Sequence, residues 1–404
     1  MKVSISKTIL FVSLVFLSIS LVLCNSVYID YSIRRIIEIF AIATSVIYLI
    51  RFSTKSTIVK KSSLLVALVL FSFIGCMIYF SHRNVGLIIK DDPTITALLD
   101  GGVLCSYFFL IKKTVSTDQF AFAKKSMVII LGIFVIFNDL MMFFFTEMAE
   151  HFGGEWWTSF FLGTKFDVGY MHLFFIATLF SAFFQKRTEN YGRYIVFIVL
   201  IGLTVYSTVF VDCNTGIVSV GIYLIFFIIA RKRYSCFIKP QVFSITLVST
   251  LLFVVIYSIV LDSSLVKFIV QQVFDRDISL TGRTNIYKLL GTVLTNDIWT
   301  GYGYGINYSV SKALFNYDNT QNGLMEWILQ VGIIGTSFLV LFLYVLFFRI
   351  SKAKPSTAII PILSFIYVLT IIAMIEISLD LFYFMAIGLL YGMALDEEKV
   401  EGKG

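Results

Sequence analysis

The chain has 404 residues, of which 58% are hydrophobic and only 14% are charged, and its mean hydropathy is +0.90. This composition excludes a soluble domain with a solvated surface and indicates a protein embedded in a lipid bilayer. The net charge of +7 gives no reason to invoke a nucleic-acid partner, because membrane proteins concentrate basic residues in their cytoplasmic segments.

Twelve apolar runs follow one another along the chain. A helix needs about 20 apolar residues to span a bilayer with its backbone hydrogen bonds satisfied internally. Since the runs are continuous rather than alternating, the sequence predicts an all-α, polytopic membrane protein with about twelve transmembrane helices. The runs lie near residues 8–27, 36–51, 62–81, 94–111, 126–146, 167–184, 193–212, 214–230, 242–262, 324–348, 357–376 and 378–395.

The distribution of lysine and arginine predicts the orientation. With a cytoplasmic N-terminus, 22 of the 32 basic residues fall in cytoplasmic segments, as the positive-inside rule requires. The predicted organisation is nine helices in residues 1–262, a large extracytoplasmic loop at 263–323, and three helices with a short cytoplasmic tail in 324–404. Both termini are then cytoplasmic.

The external loop is the longest polar interruption of the chain. It contains two segments, 263–274 and 285–294, whose apolar residues recur at helical intervals. We expect them to form amphipathic helices on the outer membrane surface. A loop of this length with such patterning is typical of a functional segment.

Motif order in and after this loop resembles one family. Gly282-Arg283 opens an amphipathic helix, Trp299 precedes the glycine-rich run 301–305, and Gln321-Asn322 leads into the apolar "LMEWILQVGIIG". Over roughly residues 280–335 the chain resembles the O-antigen polymerase and ligase superfamily, membrane glycosyltransferases that act on polyprenyl-diphosphate-linked sugars. A weaker similarity lies in "VDCNTGIVSVGI", residues 211–222.

The resemblance implies a GT-C-like helical fold and a polymerase that joins undecaprenyl-diphosphate-linked oligosaccharide repeat units on the outer face of the bacterial cytoplasmic membrane. It also implies a chain-length regulator and a flippase as protein partners. Many relatives, ligases especially, have His-Asn where this chain has Gln321-Asn322. Because glutamine is no general base, the departure favours a polymerase over a ligase.

The reaction implied by the resemblance needs cations that bind the leaving group, a diphosphate. Arginine binds phosphate oxygens in bidentate fashion and stays charged. Arg283 is the first candidate for a catalytic diphosphate ligand, and a membrane-surface arginine without chemistry is its alternative. Arg276 is a second candidate for substrate binding, although Asp275-Arg276-Asp277 also reads as a self-neutralised turn. Neither a metal nor another cofactor is predicted.

Further candidates come from the flanking motifs. Gly303 and Tyr304 of "GYGYG" offer close backbone approach and a flat ring for a sugar, or simply a tight turn. Gln321 and Asn322 are substrate-binding candidates by their place in the motif. Glu326, four residues after Asn322, is a catalytic candidate for accepting the proton of an acceptor hydroxyl, with a helix-end or salt-bridge role as its alternative.

Asp212 is the third catalytic candidate. It lies at a turn between two apolar runs, where an ionisable group near the bilayer is costly. Capping of the following helix by Asn214 is the alternative role for this turn. Asp318, Glu155 and the pair Glu376 and Asp380 are further external carboxylates among which the sequence does not choose.

Three other functions stay open from the sequence. A ligase of the same superfamily would move glycan to another acceptor. A transporter of polysaccharide or lipid would place its polar residues at mid-membrane, usually at a matched pair of broken helices, whereas here they gather in external segments. A structural or sensing protein would bind a partner through the loop without chemistry.

Overall fold

The computed structural model describes residues 5–26, 28–52, 61–83, 93–145, 151–152, 158–183, 191–262, 264, 268, 286, 287, 289, 297–353 and 356–401. These residues form thirteen α-helices and one small sheet. The helices are α1 (Ile5–Val22), α2 (Tyr31–Arg51), α3 (Lys61–Arg83), α4 (Thr94–Ser116), α5 (Phe120–Phe144), α6 (Lys165–Phe183), α7 (Tyr191–Phe210), α8 (Asn214–Phe237), α9 (Pro240–Asp262), α10 (Asn307–Phe315), α11 (Gly323–Ile350), α12 (Ile360–Ile372) and α13 (Leu381–Glu401).

Each of the twelve predicted apolar runs contains one helix, and α10 is the additional one. Eight of the helices are long and apolar enough to cross a membrane, namely α1, α3 to α8 and α11, while α9 and α12 provide shorter apolar stretches. In α2, Arg34, Arg35 and Glu38 interrupt the apolar pattern. The chain is thus a multi-pass helical membrane protein, as predicted.

The connection between α5 and α6 folds into a three-stranded antiparallel sheet. Its strands are β1 (His151–Phe152), β2 (Thr158–Phe160) and β3 (Gly163–Thr164), in spatial order β1-β2-β3. Ser159 pairs with both His151 and Thr164. The sequence did not predict these strands, since two or three residues are too few to show an alternating pattern.

The start of α1 and the end of α13 lie at the same end of the bundle. Ser6 near the start of α1 accepts a hydrogen bond from Gln119, and Lys399 near the end of α13 donates to the carbonyls of Val115 and Ser116. Arg349 at the end of α11 pairs with Glu398 there. We call this the terminal end, and the cytoplasmic location of both termini stays a prediction.

The opposite end carries the long connections, and we call it the loop end. Residues 23–26, 28–30, 158–167, 211–213, 297–323 and 373–380 meet there through hydrogen bonds. Gly323, for example, donates its backbone N–H to Ala373 at 2.8 Å.

Helix α11 is broken at Gly332, where φ is 65° and ψ is −176°. A break inside a membrane-spanning helix leaves backbone donors and acceptors that lipid cannot satisfy. Residues 298–303 satisfy them: Tyr302 and Gly303 donate to the carbonyls of Leu329 and Gln330, each at 2.8 Å. In return, Ile333 and Ile334 donate to the carbonyls of Ile298 and Trp299, at 2.8 and 3.2 Å.

Glycine is required at the crossing point. A Cβ added at Gly332 would lie 2.2 Å from the carbonyl oxygen of Trp299, and one added at Gly301 would lie 2.5 Å from the nitrogen of Gly332. The backbone region of Gly332 is also essentially restricted to glycine. The glycine-rich run and the "GxxG" of α11 therefore form one structural unit, which we call the α11 plug (residues 298–303 and 329–334).

We expect Gly332→Ala to destabilise the protein by about 3 kcal/mol or more, because the methyl group meets backbone that cannot move without breaking the plug. Gly221→Ala in α8 is the matched control, since a Cβ there meets no atom within 4 Å. Thermal unfolding in detergent measures both variants. Equal unfolding temperatures for the two would contradict the plug.

Candidate functional site

A cavity of about 410 Å³ opens among the segments of the loop end. Carboxylates, amides and two aromatic rings line it, a combination suited to the hydroxyl groups and flat faces of a sugar. Its walls come from Asn25, Ser159, Thr164, Phe166, Asp167, Asn307, Tyr308, Asp318, Asn319, Gln321, Glu376, Ile377 and Asp380. We call it the acidic cavity.

Two of the carboxylates share one partner. The side-chain nitrogen of Asn25 lies 3.4 Å from Oδ2 of Asp167 and 3.4 Å from Oδ2 of Asp380. Asp167 also accepts hydrogen bonds from the backbone N–H and the hydroxyl of Thr164, both at 2.8 Å. The turn between β3 and α6 thereby fixes Asp167 in the first turn of α6. There it faces Asp380, which belongs to the α12–α13 connection.

The environment of Asp380 alters its proton affinity. Removal from bulk water, followed by the negative charge of Asp167, raises the pKa of Asp380 from 3.8 to about 7. A carboxyl group with such a pKa exchanges protons readily at neutral pH, which is what a general base or acid needs. The sequence identified Asp380 and Glu376 only as two of several external carboxylates.

A buried cluster of charges supports the cavity from behind. Arg34 donates to Glu38 at 2.9 Å and to Asp100 at 3.3 Å, and Arg35 donates to Glu38 at 2.6 Å. Two arginines face two carboxylates, so the cluster is balanced in formal charge. Arg34 also donates to the backbone carbonyl of Cys24 at 2.8 Å and so fixes the residue before Asn25.

Gln321 lines the acidic cavity, and its substrate binding stays a prediction. Its backbone is left-handed, with φ of 53°, and its N–H and side-chain amide both donate to Asn319, at 3.0 and 2.6 Å. Among the residues predicted to be catalytic or substrate-binding, Gln321 is the one described residue on the cavity wall, and three of the further candidate carboxylates, Asp318, Glu376 and Asp380, line the wall as well.

Asn322 and Glu326 are buried immediately behind that wall. Asn322 caps α11 by accepting from the N–H of Met325 at 3.0 Å, and its amide donates to the carbonyls of Thr250 and Met374. Glu326 accepts from the N–H and hydroxyl of Thr320, at 3.0 and 2.7 Å. Both side chains hold the segment that presents Gln321, and their predicted contact with substrate stays untested.

Gly303 and Tyr304 belong to the α11 plug and its continuation. The N–H groups of residues 301–305 donate in turn to Asp297, Leu329, Gln330, the Ser81 hydroxyl and the Gln330 side chain. None of these five amides is left for a ligand. The Tyr304 ring is buried against Trp327, with ring centres 5.7 Å apart. The tight-turn interpretation accounts for this run.

Asp212 lies outside the cavity wall at the turn between α7 and α8. It is exposed, its φ is 50°, and its backbone carbonyl accepts from Lys165 at 3.2 Å. The cap of α8 is provided by Cys213, whose sulfur accepts from the N–H of Gly216, rather than by Asn214.

Arg283 and Arg276 lie outside the described residues. Their described neighbours in the sequence, Ile286 and Tyr287, are buried at the loop end. The Tyr287 hydroxyl donates to the backbone carbonyl of Gln321 at 2.9 Å. Ile286 and Tyr287 also belong to an apolar cluster that includes Leu251 and Ile328.

An apolar groove of about 520 Å³ runs between α9 and α11. Val248 and Leu341 on its walls are exposed, so the groove opens toward the surroundings of the bundle. It extends along α11 from Leu324 to Tyr344. Leu324, at the end of the groove nearer the loop end, is three residues after Gln321 of the acidic cavity. Its lining residues are Ser244, Val248, Leu251, Leu324, Ile328, Ile333, Thr336, Ser337, Val340, Leu341 and Tyr344.

A buried pair lies deeper in the bundle. Nε2 of His172 on α6 is 3.0 Å from Oδ1 of Asp139 on α5, and Nδ1 of His172 contacts the carbonyl of Val168 at 2.7 Å. A carbonyl accepts only, so Nδ1 carries a proton. The pair satisfies two buried polar groups and joins α5 to α6. It does not line the cavity.

The sequence missed Asn25 and Asp167 as site residues. The sequence did carry a signal for Asp167. This residue follows a glycine turn and lies in the first turn of an apolar helix, where an ionisable side chain is costly and is therefore expected to have a function. Asn25 carried no comparable signal, since asparagine after an apolar run is ordinary loop composition.

No family model matches the chain, and no curated protein or solved structure shows significant similarity to it. The class established by the fold is a multi-pass helical membrane protein. Any finer assignment therefore depends on the site itself and on the motif resemblance.

The raised pKa of Asp380 predicts how stability depends on pH. The folded state binds this proton more tightly than the unfolded state, so the stabilisation is complete below pH 3.8 and is lost as the pH rises through about 7. Asp380→Asn cannot ionise. Relative to the wild type, the variant should gain about 2 kcal/mol of stability between pH 5 and pH 8.

Thermal or denaturant unfolding in detergent at the two pH values measures this gain. Asp318→Asn is the matched control, because Asp318 lines the same cavity but pairs with Lys312 at 3.5 Å; we expect no gain at pH 8 for it. A constant difference between Asp380→Asn and wild type across this range would show that Asp380 does not titrate there.

Proposed function

We propose that this protein is a membrane glycosyltransferase that polymerises polyprenyl-diphosphate-linked oligosaccharide repeat units on the outer face of the bacterial cytoplasmic membrane. The motif order over residues 280–335 supports this proposal by its resemblance to the O-antigen polymerase and ligase superfamily. One structural observation supports it independently: an apolar groove and a polar cavity lie close to each other at the start of α11.

The junction of groove and cavity carries the proposal. Leu324 lines the groove and Gln321 lines the cavity, with the buried Asn322 between them. Tyr287 bonds to Gln321 and packs in the cluster that contains Leu251 and Ile328 of the groove wall. A substrate with a long apolar tail and a hydroxyl-rich head matches this arrangement.

The charges of the acidic cavity indicate which part of the substrate lies in the cavity and which part lies in the groove. Four carboxylates line the acidic cavity, and among the described lining residues none is a cation. A diphosphate would be repelled there, whereas sugar hydroxyls donate hydrogen bonds to carboxylates. We therefore assign the acceptor sugar to the cavity and the polyprenyl chain to the groove.

The diphosphate then needs cations at the junction. Arg283, four residues before Tyr287 in the sequence, is our first candidate, and Arg276 is the second. Guanidinium groups stabilise the charge that develops on a diphosphate as its bond to the sugar breaks.

In the proposed reaction, the oxygen of an acceptor hydroxyl attacks the anomeric carbon of the donor glycan. The bond from that carbon to the diphosphate oxygen breaks, and undecaprenyl diphosphate leaves with the bonding electrons. The hydroxyl proton passes to a carboxylate, for which the pKa of Asp380 makes it the best candidate in the cavity. Direct displacement inverts the anomeric centre.

Several finer assignments belong to the same proposal. They are a GT-C-like fold, cytoplasmic termini, and a chain-length regulator and flippase as partners. The terminal end with its basic side chains supports the orientation.

A ligase differs from a polymerase only in its acceptor. Gln321 in place of histidine is the sequence observation that favours the polymerase. The cavity itself accommodates an acceptor of either kind.

A transporter is favoured by one observation, the break of α11, since discontinuous helices commonly form transport sites. Here, however, the backbone groups freed at Gly332 bond to residues 298–303. The break is filled by protein, so it offers no site at mid-membrane.

Purified protein in liposomes, given its cognate lipid-diphosphate repeat unit without metal or nucleotide sugar, should produce a laddered glycan on a gel. Arg283→Ala should lower turnover about 100-fold or more, because transition-state charge on the diphosphate loses its partner. Arg283→Lys, which keeps the charge but loses the bidentate geometry, should fall between Arg283→Ala and the wild type.

Lys288→Ala is the matched control, a lysine of the same segment that should leave the ladder unchanged. Unfolding temperatures of all variants exclude a loss of fold. A full ladder from Arg283→Ala would remove this residue from the mechanism. The absence of any ladder from folded wild-type protein with the correct substrate would instead argue for a ligase or a transporter.

A further inference from the structure

Asn25 occupies a position between two carboxylates of the acidic cavity. Its single side-chain nitrogen lies 3.4 Å from an oxygen of Asp167 and 3.4 Å from an oxygen of Asp380. An amide NH₂ group has two hydrogens and can donate one to each acid. Asn25 is thereby able to set the spacing of α6 and the α12–α13 connection on two sides of the cavity.

The two acids differ in the hydrogen bonds they already accept. Oδ2 of Asp167 accepts from Asn25 and from both donors of Thr164. Among the described residues, Asn25 is the only side chain that donates to Asp380. Oδ2 of Asp167 is thus occupied by hydrogen bonds from the protein, whereas Asp380 keeps lone pairs that can accept a hydrogen bond from a substrate hydroxyl.

The position of Asn25 is itself held from two directions. Arg34 fixes the preceding carbonyl of Cys24 at 2.8 Å. On the other side lies Gly163, where an added Cβ would be 2.5 Å from Oδ2 of Asp167 and 3.1 Å from Cβ of Asn25. Glycine at this point leaves room for the amide and the carboxylate to approach each other.

We propose that Asn25 is a positioning residue of the acidic cavity: its amide joins Asp167 to Asp380 and orients Asp380 to accept the proton of the acceptor hydroxyl. The catalytic part of this inference rests on the proposed function. The bridging part does not, because it concerns only the protein.

The groups around Asp380 determine in which direction its pKa shifts when Asn25 is replaced. Asp167 and Glu326 raise the pKa of Asp380, whereas the hydrogen bond from Asn25 and the positive charge of Arg34 lower it. Glu376 lines the same cavity. Loss of the Asn25 donor should therefore raise the pKa of Asp380 further, and a third carboxylate in its place should raise it more.

Infrared difference spectroscopy of the full-length protein in nanodiscs, titrated from pH 4 to pH 10, follows the carboxyl C=O band. Comparison with Asp380→Asn assigns the band of Asp380. In Asn25→Leu its titration midpoint should rise by about 0.5 to 1 pH unit, and in Asn25→Asp by more. Tyr308→Phe, which removes a polar atom from the same cavity, should leave the midpoint unchanged.

The pH profile of glycan formation provides the second readout. The rate should rise with pH as Asp380 ionises, and Asn25→Leu should shift this rise upward by the same amount as the infrared midpoint. At a pH above both midpoints, the remaining rate difference reports orientation; Asn25→Gln, which keeps the donor, should recover part of it.

An unchanged infrared midpoint in both Asn25→Leu and Asn25→Asp would overturn the bridge. A shifted midpoint with an unshifted pH profile would overturn the role of Asn25 in catalysis while leaving the bridge intact. Wild-type protein that makes no glycan but shows the shifted band in its variants would refute the proposed function alone.

Discussion

The loop end depends on how the break in α11 is filled. A helix that crosses a membrane cannot leave backbone groups unpaired in hydrocarbon, and at Gly332 the helical hydrogen bonds stop. Residues 298–303 replace them with four backbone bonds of 2.8 to 3.2 Å. Because the partners are backbone atoms on both sides, the close approach requires glycine at Gly301 and Gly332. The need to pair these backbone groups holds the polar loop of residues 298–303 against the membrane helix α11.

From this plug a continuous set of contacts leads to the cavity. Tyr304 packs on Trp327 close to Asp100, which pairs with Arg34. Arg34 holds the carbonyl of Cys24, and the next residue, Asn25, contacts both Asp167 and Asp380. The α11 plug, the charge cluster and the acidic cavity are therefore one structure. In the proposed function, Asp380 accepts the proton of a hydroxyl in this cavity, and the groove holds the lipid tail.

The fold could be predicted from the sequence because hydrophobicity is a local property: each of the twelve apolar runs contains a helix. The site could be predicted only in part. Gln321 lines the cavity, but Asn322 and Glu326 face inward and bond to backbone, since the register of a helix start decides where they point. Asn25 contacts residues 142 and 355 positions away, and no local pattern encodes such contacts. The glycines of "GYGYG" marked a close approach correctly, but the partner is α11 rather than a ligand.

The proposed function requires that a polyprenyl chain lies in the groove between α9 and α11 while the sugar occupies the acidic cavity. The most direct test is photocrosslinking with a polyprenyl diphosphate that carries a diazirine in its isoprenoid chain, followed by peptide mapping. We expect labelling at groove residues such as Val248, Leu251 and Val340, suppressed by an excess of the unlabelled lipid diphosphate. Labelling spread evenly over lipid-facing helices such as α7, without competition, would contradict it.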